Sequence, residues 1–329
     1  MGYLVATSGT VGATSFNVAT LIEKAYRRCN VLPGLITPEL IDIAKENLFL
    51  LFNNFSNRGI NLWCVDTPML GITNHKAEYD LPVGTIDVLN AVYRRPTALD
   101  TTIYATTALS QTFDVASATV VNLIGFKVST QTTSAVISAS ADGVTFTDLV
   151  TQAKTFTIGD WHWIAVEPSA LQQYWKITFP SVTAITDYVL ANTYTDLVMS
   201  RLNKDDYQGL PNKRFEGAPS LQYWMNRQMT PTVTLWPVPN TELACIYLIT
   251  HRQIQDVGAI TNTIEIPDRW VDAVLWGLAS MCAVEIPTMP EDRIQLCLQM
   301  AGESLRNADS EERDTAPIYL APNISVYNA

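Results

Sequence analysis

The chain has 329 residues, a hydrophobic fraction of 47% and a formal net charge of −11. That length and apolar content suit a folded protein of two domains, or of one domain carrying a large insertion. The acidic balance argues against a surface that holds nucleic acid through its phosphates, though not against DNA passing nearby along a wall that repels it. The five cysteines, Cys29, Cys64, Cys245, Cys282 and Cys297, show no metal or redox spacing, and buried free thiols are expected. No apolar run is long enough to cross a bilayer.

Residues 1–14 are rich in Gly, Ala, Thr and Ser, lack a basic leader, and read as a flexible arm. A first helix is expected from Ser15 or Asn17, with Val18, Leu21, Ile22, Ala25 and Cys29 on its buried face, ending at Pro33-Gly34. Thr37-Pro38-Glu39 combines a capping hydroxyl, a proline at the first helical position and an acid at the positive end of the dipole, so a second helix should run to Arg58. Its apolar face is Ile41, Ala44, Leu48, Leu51 and Phe55, and Gly59 is placed to end it in the left-handed conformation. Two helices joined by so short a loop should pack as an antiparallel pair.

Alternation then predicts strands over Leu62 to Ile72, Tyr79 to Leu81 and Ile86 to Arg94. From Thr97 to Asn192 the composition shifts to Thr, Ser, Ala and Val with little charge. Short alternating runs follow, over Val120 to Val128, Ala135 to Ser140, Thr155 to Ile158, His162 to Val166 and Tyr174 to Phe179, separated by turn residues. This block reads as an all-β sandwich inserted into a parent fold. After Asp196 the earlier composition returns. Arg201 to Tyr207 suggests a helical turn, and Gln222 to Arg227, Thr232 to Pro237 and Leu243 to Arg252 suggest strands. Asp268 to Glu285 is apolar nearly all round (Trp270, Val274, Leu275, Trp276, Leu278, Met281), which predicts a central buried helix. Glu291 to Asn307 carries the narrower stripe Ile294, Cys297, Leu298, Ala301 and Leu305, and a charged run, Asp309 to Asp314, precedes the end.

The fold expected is therefore α+β: a helical bundle layer plus an antiparallel β domain, with an inserted all-β sandwich. Its parts are a flexible arm (1–14), a core built from 15–96 and 196–308, the insertion (97–195) and a C-terminal tail (309–329). The helical stripes at the two ends of the chain must meet, because neither pair can bury its apolar face alone.

Chemistry is sparse. His75, His162 and His251 lie in separate segments without a carboxylate or cysteine at ligand spacing, and a structural role is expected for each. Asp205-Asp206 has the composition of a general acid and base, but an exposed charged turn anchored by Tyr207 is the reading expected. Glu46 and Glu285 lie on helices where burial is conceivable. Phosphate loop, nucleophile elbow and zinc signature are all missing, so no catalytic residue, cofactor or metal is assigned. Arg94-Arg95 and Lys213-Arg214 suit salt bridges better than DNA phosphates in so acidic a chain. Trp161, Trp163 and Trp175 leave two readings open, a sandwich core or rings that contact a glycan or a tail protein.

Several segments resemble the head-to-tail adaptor proteins of short-tailed phages, the tail tubular protein A type. They are Asn57 to Trp63, Tyr79 to Pro82 with Asp87-Val88-Leu89, Arg201 to Tyr207, Leu210 to Lys213, Gly217 with Pro219, Arg227, Pro231 to Pro239, and Ile266 to Trp270 leading to Ala273 and Gly277 to Ala279. Together they span most of residues 15–96 and 196–308, and their order and spacing carry the match. The block from Thr97 to Asn192 is the departure from simpler members. Within it, Ser138 to Phe146 and Tyr174 to Ile177 look like a discoidin, or galactose-binding-like, sandwich, with a phage immunoglobulin-like decoration as the competitor.

The resemblance implies a dodecameric ring beneath the portal protein. That ring would extend the DNA channel without reading sequence, dock the tail nozzle or fibres, and sit at the head–tail junction of the virion after synthesis in the host cytoplasm. It also implies that the tail grips the portal, with Tyr319, Leu320, Ile324 and Tyr327 as contacts; Pro317 and Pro322 bar a helix there. A second reading is a carbohydrate-binding accessory protein acting through the β insertion. A third is a cell-wall hydrolase using Asp205 or Asp206.

Overall fold

A computed structural model describes residues 16–59, 62–167, 170–255 and 258–311. The chain opens with α1 (Val18–Arg28) and α2 (Pro38–Arg58). Strands β1 (Val65–Asp66), β2 (Met69–Gly71), β3 (Glu78–Asp80), β4 (Thr85–Ala98), β5 (Thr102–Thr106) and β6 (Ser110–Thr119) follow. Next come β7 (Leu123–Val128), β8 (Thr132–Ser140), β9 (Thr147–Phe156), β10 (His162–Ala165), β11 (Gln172–Thr178) and β12 (Ile185–Val198). The series continues with β13 (Ser200–Leu202), α3 (Lys204–Gly209), β14 (Gln222–Asn226), β15 (Thr232–Trp236) and β16 (Cys245–Arg252), and closes with α4 (Val271–Glu285) and α5 (Glu291–Glu311). The fold is mixed α and β, and its sheets are mostly antiparallel. It divides into two units, one from the two ends of the chain and one from residues 65–252.

In the first unit the helix ends form as their caps dictate. Asn17 Oδ1 accepts from Thr20 N at 2.8 Å, and Thr37 Oγ1 accepts from Leu40 N at 3.4 Å, with Pro38 beginning α2. Helix α4 is the centre: Ala273, Val274, Leu275, Leu278, Ala279, Cys282 and Ala283 are all buried, as its all-round apolarity requires. Val18, Leu21, Ile22 and Ala25 of α1 and Ala44, Leu48, Leu51 and Phe55 of α2 join the same cluster. Trp270 packs between Phe55, at 5.4 Å, and Trp63, at 5.0 Å between ring centroids. Arg28 pairs with Asp272 at 2.8 Å, and Arg293 of α5 donates to the Arg28 carbonyl.

Four expectations change here. Gly59 ends α2 with extended backbone (φ 167°), not a left-handed turn. Leu298 of the α5 stripe is exposed, and so are Glu46 and Glu285. The charged run beginning at Asp309 is helical as far as Glu311, because Ala308 is buried and carries the last turn with it.

The second unit holds three sheets. A seven-stranded sheet runs β1-β16-β4-β12-β7-β10, with β2 also paired to β16. A five-stranded sheet runs β5-β6-β11-β8-β9, and a four-stranded one β13-β14-β15-β3, in which β13 and β14 are parallel. One face of the large sheet is shared between two cores. Its β7 and β12 side supplies Ile124, Phe126 and Leu190 to a core with Phe113, Ile137 and Trp175 of the five-stranded sheet. Its β4 and β16 side supplies Val88, Ala91, Ile246 and Leu248 to a core with Tyr79, Tyr223 and Val233 of the four-stranded sheet.

The single strand expected over Leu62 to Ile72 is a helical turn, Leu62–Cys64, then β1 and β2 broken at Pro68, which has no N–H to give a ladder. The strands β5, β6 and β12 have no counterpart in the sequence reading. The boundary expected at residue 97 falls inside β4, and that at 192–195 inside β12. These two strands pair from Val92↔Val198 to Ala98↔Ala191, so the large sheet runs through both positions. The core around Trp175 nonetheless draws all its buried residues from between them, and the core around Tyr79 draws all of its own from outside.

Candidate functional site

Strand alternation sends Leu123, Gly125 and Lys127 of β7 to the face opposite Ile124 and Phe126. On that opposite face the large sheet curls, and it gathers Leu123, Trp161, Trp163, Ala191 and Cys245 with Met69 and Val189 against them. Two glycines make the curl possible. A β-carbon on Gly71 would stand 1.9 Å from the Trp161 carbonyl oxygen, and one on Gly125 would stand 2.6 Å from the Trp163 ring. The two indoles stack, with centroids 5.5 Å apart and planes at 23°.

Trp161 Nε1 donates to Glu242 Oε2 at 3.3 Å, and Lys127 Nζ donates to the same oxygen at 2.7 Å. The Lys127 bond holds the Glu242 carboxyl below its ordinary range. Beside the indoles lies a cleft of about 880 Å3, walled by residues 66–83 on one side and by β9 and β10 on the other; Asp80, Lys76, Lys154 and Asp160 are among its charged residues. His162 opens on this cleft, with Nε2 2.9 Å from Thr157 O, and burial pushes its pKa down.

Trp161 and Trp163 are thus cleft-side but more than nine-tenths buried, and Trp175 is wholly buried in the sandwich core. Trp175 therefore has no face to offer a glycan or a tail protein, and it stands apart from the other two as a core residue. The expected portal contacts Tyr319, Leu320, Ile324 and Tyr327 lie outside the described residues, as does the arm 1–14.

Asp205 and Asp206 are exposed in the first turn of α3, where Asn203 Oδ1 caps the Asp206 N–H at 2.8 Å, and the neighbouring Tyr207 stacks on Trp224 at 5.0 Å. Arg94 makes a two-pronged bond to Asp196, both contacts at 2.8 Å, between the rings of Tyr194 and Tyr247. Lys213 donates to Gln208 O at 2.9 Å. His75 Nδ1 lies 2.9 Å from Glu216, and His251 is buried. Among the described residues no three His, Cys, Asp or Glu side chains gather as a metal site.

A second constellation joins distant parts of the sequence. Asp87 of β4 receives Arg201 through Oδ1 at 2.8 Å and Oδ2 at 3.2 Å, and receives Arg227 as well. Trp236 Nε1 donates to Asn212 O at 3.0 Å, Gly217 N to Val238 O at 2.9 Å, and Tyr79 pairs with Val233. Glu242, Gly71 and Gly125 carry no motif in the sequence. The alternation around Gly125 is the one local sign that it faces a packed side.

No family model matches the chain, and no curated protein matches it. Among solved structures it is similar to the CBM62 module from Clostridium thermocellum Xyl5A, at 15% identity over 27% of this chain and 72% of that one, with a TM-score of 0.23. It is also similar to CpGH89CBM32-6 from Clostridium perfringens, at 11% identity over 40% of this chain and 94% of that one, again with a TM-score of 0.23. Each likeness covers less than half of this chain, at a TM-score that carries no functional meaning.

Proposed function

We propose that this protein is a head-to-tail adaptor of a short-tailed phage. It docks as a ring on the portal, extends the DNA channel and offers a platform to the tail nozzle or fibres. In this reading the helical unit is a bundle layer that packs laterally, the β unit is the platform, and the strands between residues 97 and 195 are a sandwich added to it. Its work is docking and not catalysis. The tail residues Tyr319, Leu320, Ile324 and Tyr327 grip the portal, their tyrosines supplying much contact area for little lost side-chain freedom.

One observation supports the reading above others. The segments that resemble the adaptor family, scattered from residue 57 to residue 279, touch one another in space. Asp87 meets Arg201 and Arg227, Asn212 meets Trp236, Gly217 meets Val238, and Trp63 meets Trp270. Such contacts are what a shared local architecture needs, and they are the support this reading draws on. The test is co-sedimentation with assembled portal rings: the adaptor travels with the ring. Protein that stays at the top of the gradient at every portal concentration overturns the proposal.

A further inference from the structure

Two turns stand side by side at one end of the four-stranded sheet. Residues 82–84 follow β3 and residues 227–231 precede β15. Because those strands pair at Thr232↔Asp80, Leu81 N donates to Pro231 O at 2.9 Å. The first turn is tight: Thr85 N donates to Pro82 O at 3.1 Å, and Gly84 takes φ 85°, a conformation that favours glycine. Each turn holds one large apolar side chain out in solvent; Val83 is 97% exposed and Met229 fully so. Bonded together behind them are Asp87, Arg201 and Arg227. Two guanidiniums share one carboxylate there, so the cluster keeps a positive charge in excess, and the Arg227 side chain is more than half exposed. The two turns form an apolar knob with a cation beside it.

The helical unit carries a complementary groove of about 380 Å3, lined by Phe16, Val271, Leu275, Asp268 and Asp272. Positions 268, 271, 272 and 275 are three, four and seven apart, which sets them along one face where the chain enters α4. Asp272 is committed to Arg28 at 2.8 Å, whereas Asp268 makes no ion pair with another described residue. The lining is therefore apolar and anionic, as the knob is apolar and cationic. A methionine suits such a groove, because its unbranched thioether fills irregular gaps and packs favourably on an aromatic ring.

We propose that this groove receives the Val83–Met229 knob of a second copy of this chain, with Met229 against Phe16 and Leu275 and with Arg227 facing Asp268. The contact rests on the ring reading above and gives that ring its lateral bond. Knob and groove are different surfaces, so the contact is head-to-tail and closes a ring when repeated about an axis; a self-complementary patch would stop at a dimer. A contact of two side chains and one ion pair falls short of the roughly 1,200 Å2 that stable interfaces bury. It therefore joins copies that a portal has already gathered and does not assemble them in free solution.

The test is cross-linking on assembled portal with a chain carrying both Val83→Cys and Val271→Cys, which leaves Met229, Arg227 and Asp268 in place. A short bismaleimide gives a ladder of dimers, trimers and higher multiples in a denaturing gel, and each single variant gives none. Separately, Met229→Glu keeps the thermal midpoint and raises the concentration that fills the portal roughly tenfold, by setting like charges opposite each other. Adding Asp268→Lys recovers most of that loss. A double-cysteine chain that sediments with portal but yields no ladder overturns this contact and leaves the ring reading standing. One that does not sediment with portal overturns the ring reading and the contact with it. Dimers from Val83→Cys alone would mark a two-fold contact, and cross-links to the portal protein would assign the knob to the portal; either result overturns the proposal.

Discussion

Trp163 of β10 lies directly across the ladder from Gly125 of β7, and its ring occupies the space a side chain at Gly125 would fill. A β-carbon there would come within 2.6 Å of the indole. Gly125→Ala should therefore destabilise by about 1–3 kcal/mol through overpacking. Trp163→Leu alone should cost free energy as well, but the double variant should lose less than the sum of the two, because the smaller side chain makes room. Urea unfolding of the four proteins measures this; additive losses would place the two residues out of contact.

Deleting residues 97–192 with a short Gly/Ser bridge takes away the core around Trp175 whole and leaves the core around Tyr79 whole. What it breaks is the large sheet, which loses β7, β10 and the first part of β12, and with them the curl where Met69 and Cys245 pack with Trp161 and Trp163. The variant should fold, lose roughly 2–4 kcal/mol for the side chains uncovered, and still co-sediment with portal. Cys245 should become open to alkylation. A variant that keeps Cys245 protected, or that cannot fold at all, contradicts this division of labour.

All five cysteines are buried. Burial pushes the Cys29 and Cys245 thiols up to about 12 and that of Cys282 up to about 11, from an ordinary value of about 9. Desolvation also raises the Tyr79 phenol to about 12. Each folded-state pKa lies above its unfolded value, so the stabilising contribution is complete below about pH 9 and is lost as pH climbs toward 12. The native protein should leave a thiol reagent unreacted at pH 8 and lose stability steadily above pH 9. A stability that stays flat across that alkaline range would show that these groups titrate as they do when unfolded.

Helices were the legible part of the sequence. Thr37 caps α2 where its side chain said it should, α1 starts after Asn17, one of the two positions expected, and α4 is central because its apolar residues go all the way round. Strands β5, β6 and β12 escaped because their Thr, Ser and Asp residues blur the period of two, and packing between sheets, not local pattern, makes them strands. The composition shift near Thr97 is real, but it records which core a side chain faces, not where a strand ends; β4 runs through it. Trp161, Trp163 and Trp175 look alike in sequence. Only the curl of the large sheet separates the cleft-side pair from the one wholly enclosed. The Asp87–Arg201–Arg227 cluster draws on residues more than a hundred positions apart, and no local pattern signals it.

The tail experiment follows from the length of α5. Because Ala308 is buried and Asp309 lies 3.9 Å from Arg58, a cut after Asn307 would damage the helical unit, and a cut after Glu311 should not. Chain 1–311 should keep the thermal midpoint of the full protein and bind portal at least tenfold more weakly, about 1.4 kcal/mol. Full affinity in the truncated chain would move the grip elsewhere, to the arm or to α5.

The central claim is that this chain becomes a ring by docking on a portal. The direct measurement is the mass of the protein alone and mixed with assembled portal, by native mass spectrometry at low micromolar concentration. Alone it should be a monomer or weak oligomer, and with portal it should add twelve copies to each ring. A stable ring without portal would contradict the assembly route, and a portal whose mass does not change would contradict the function itself.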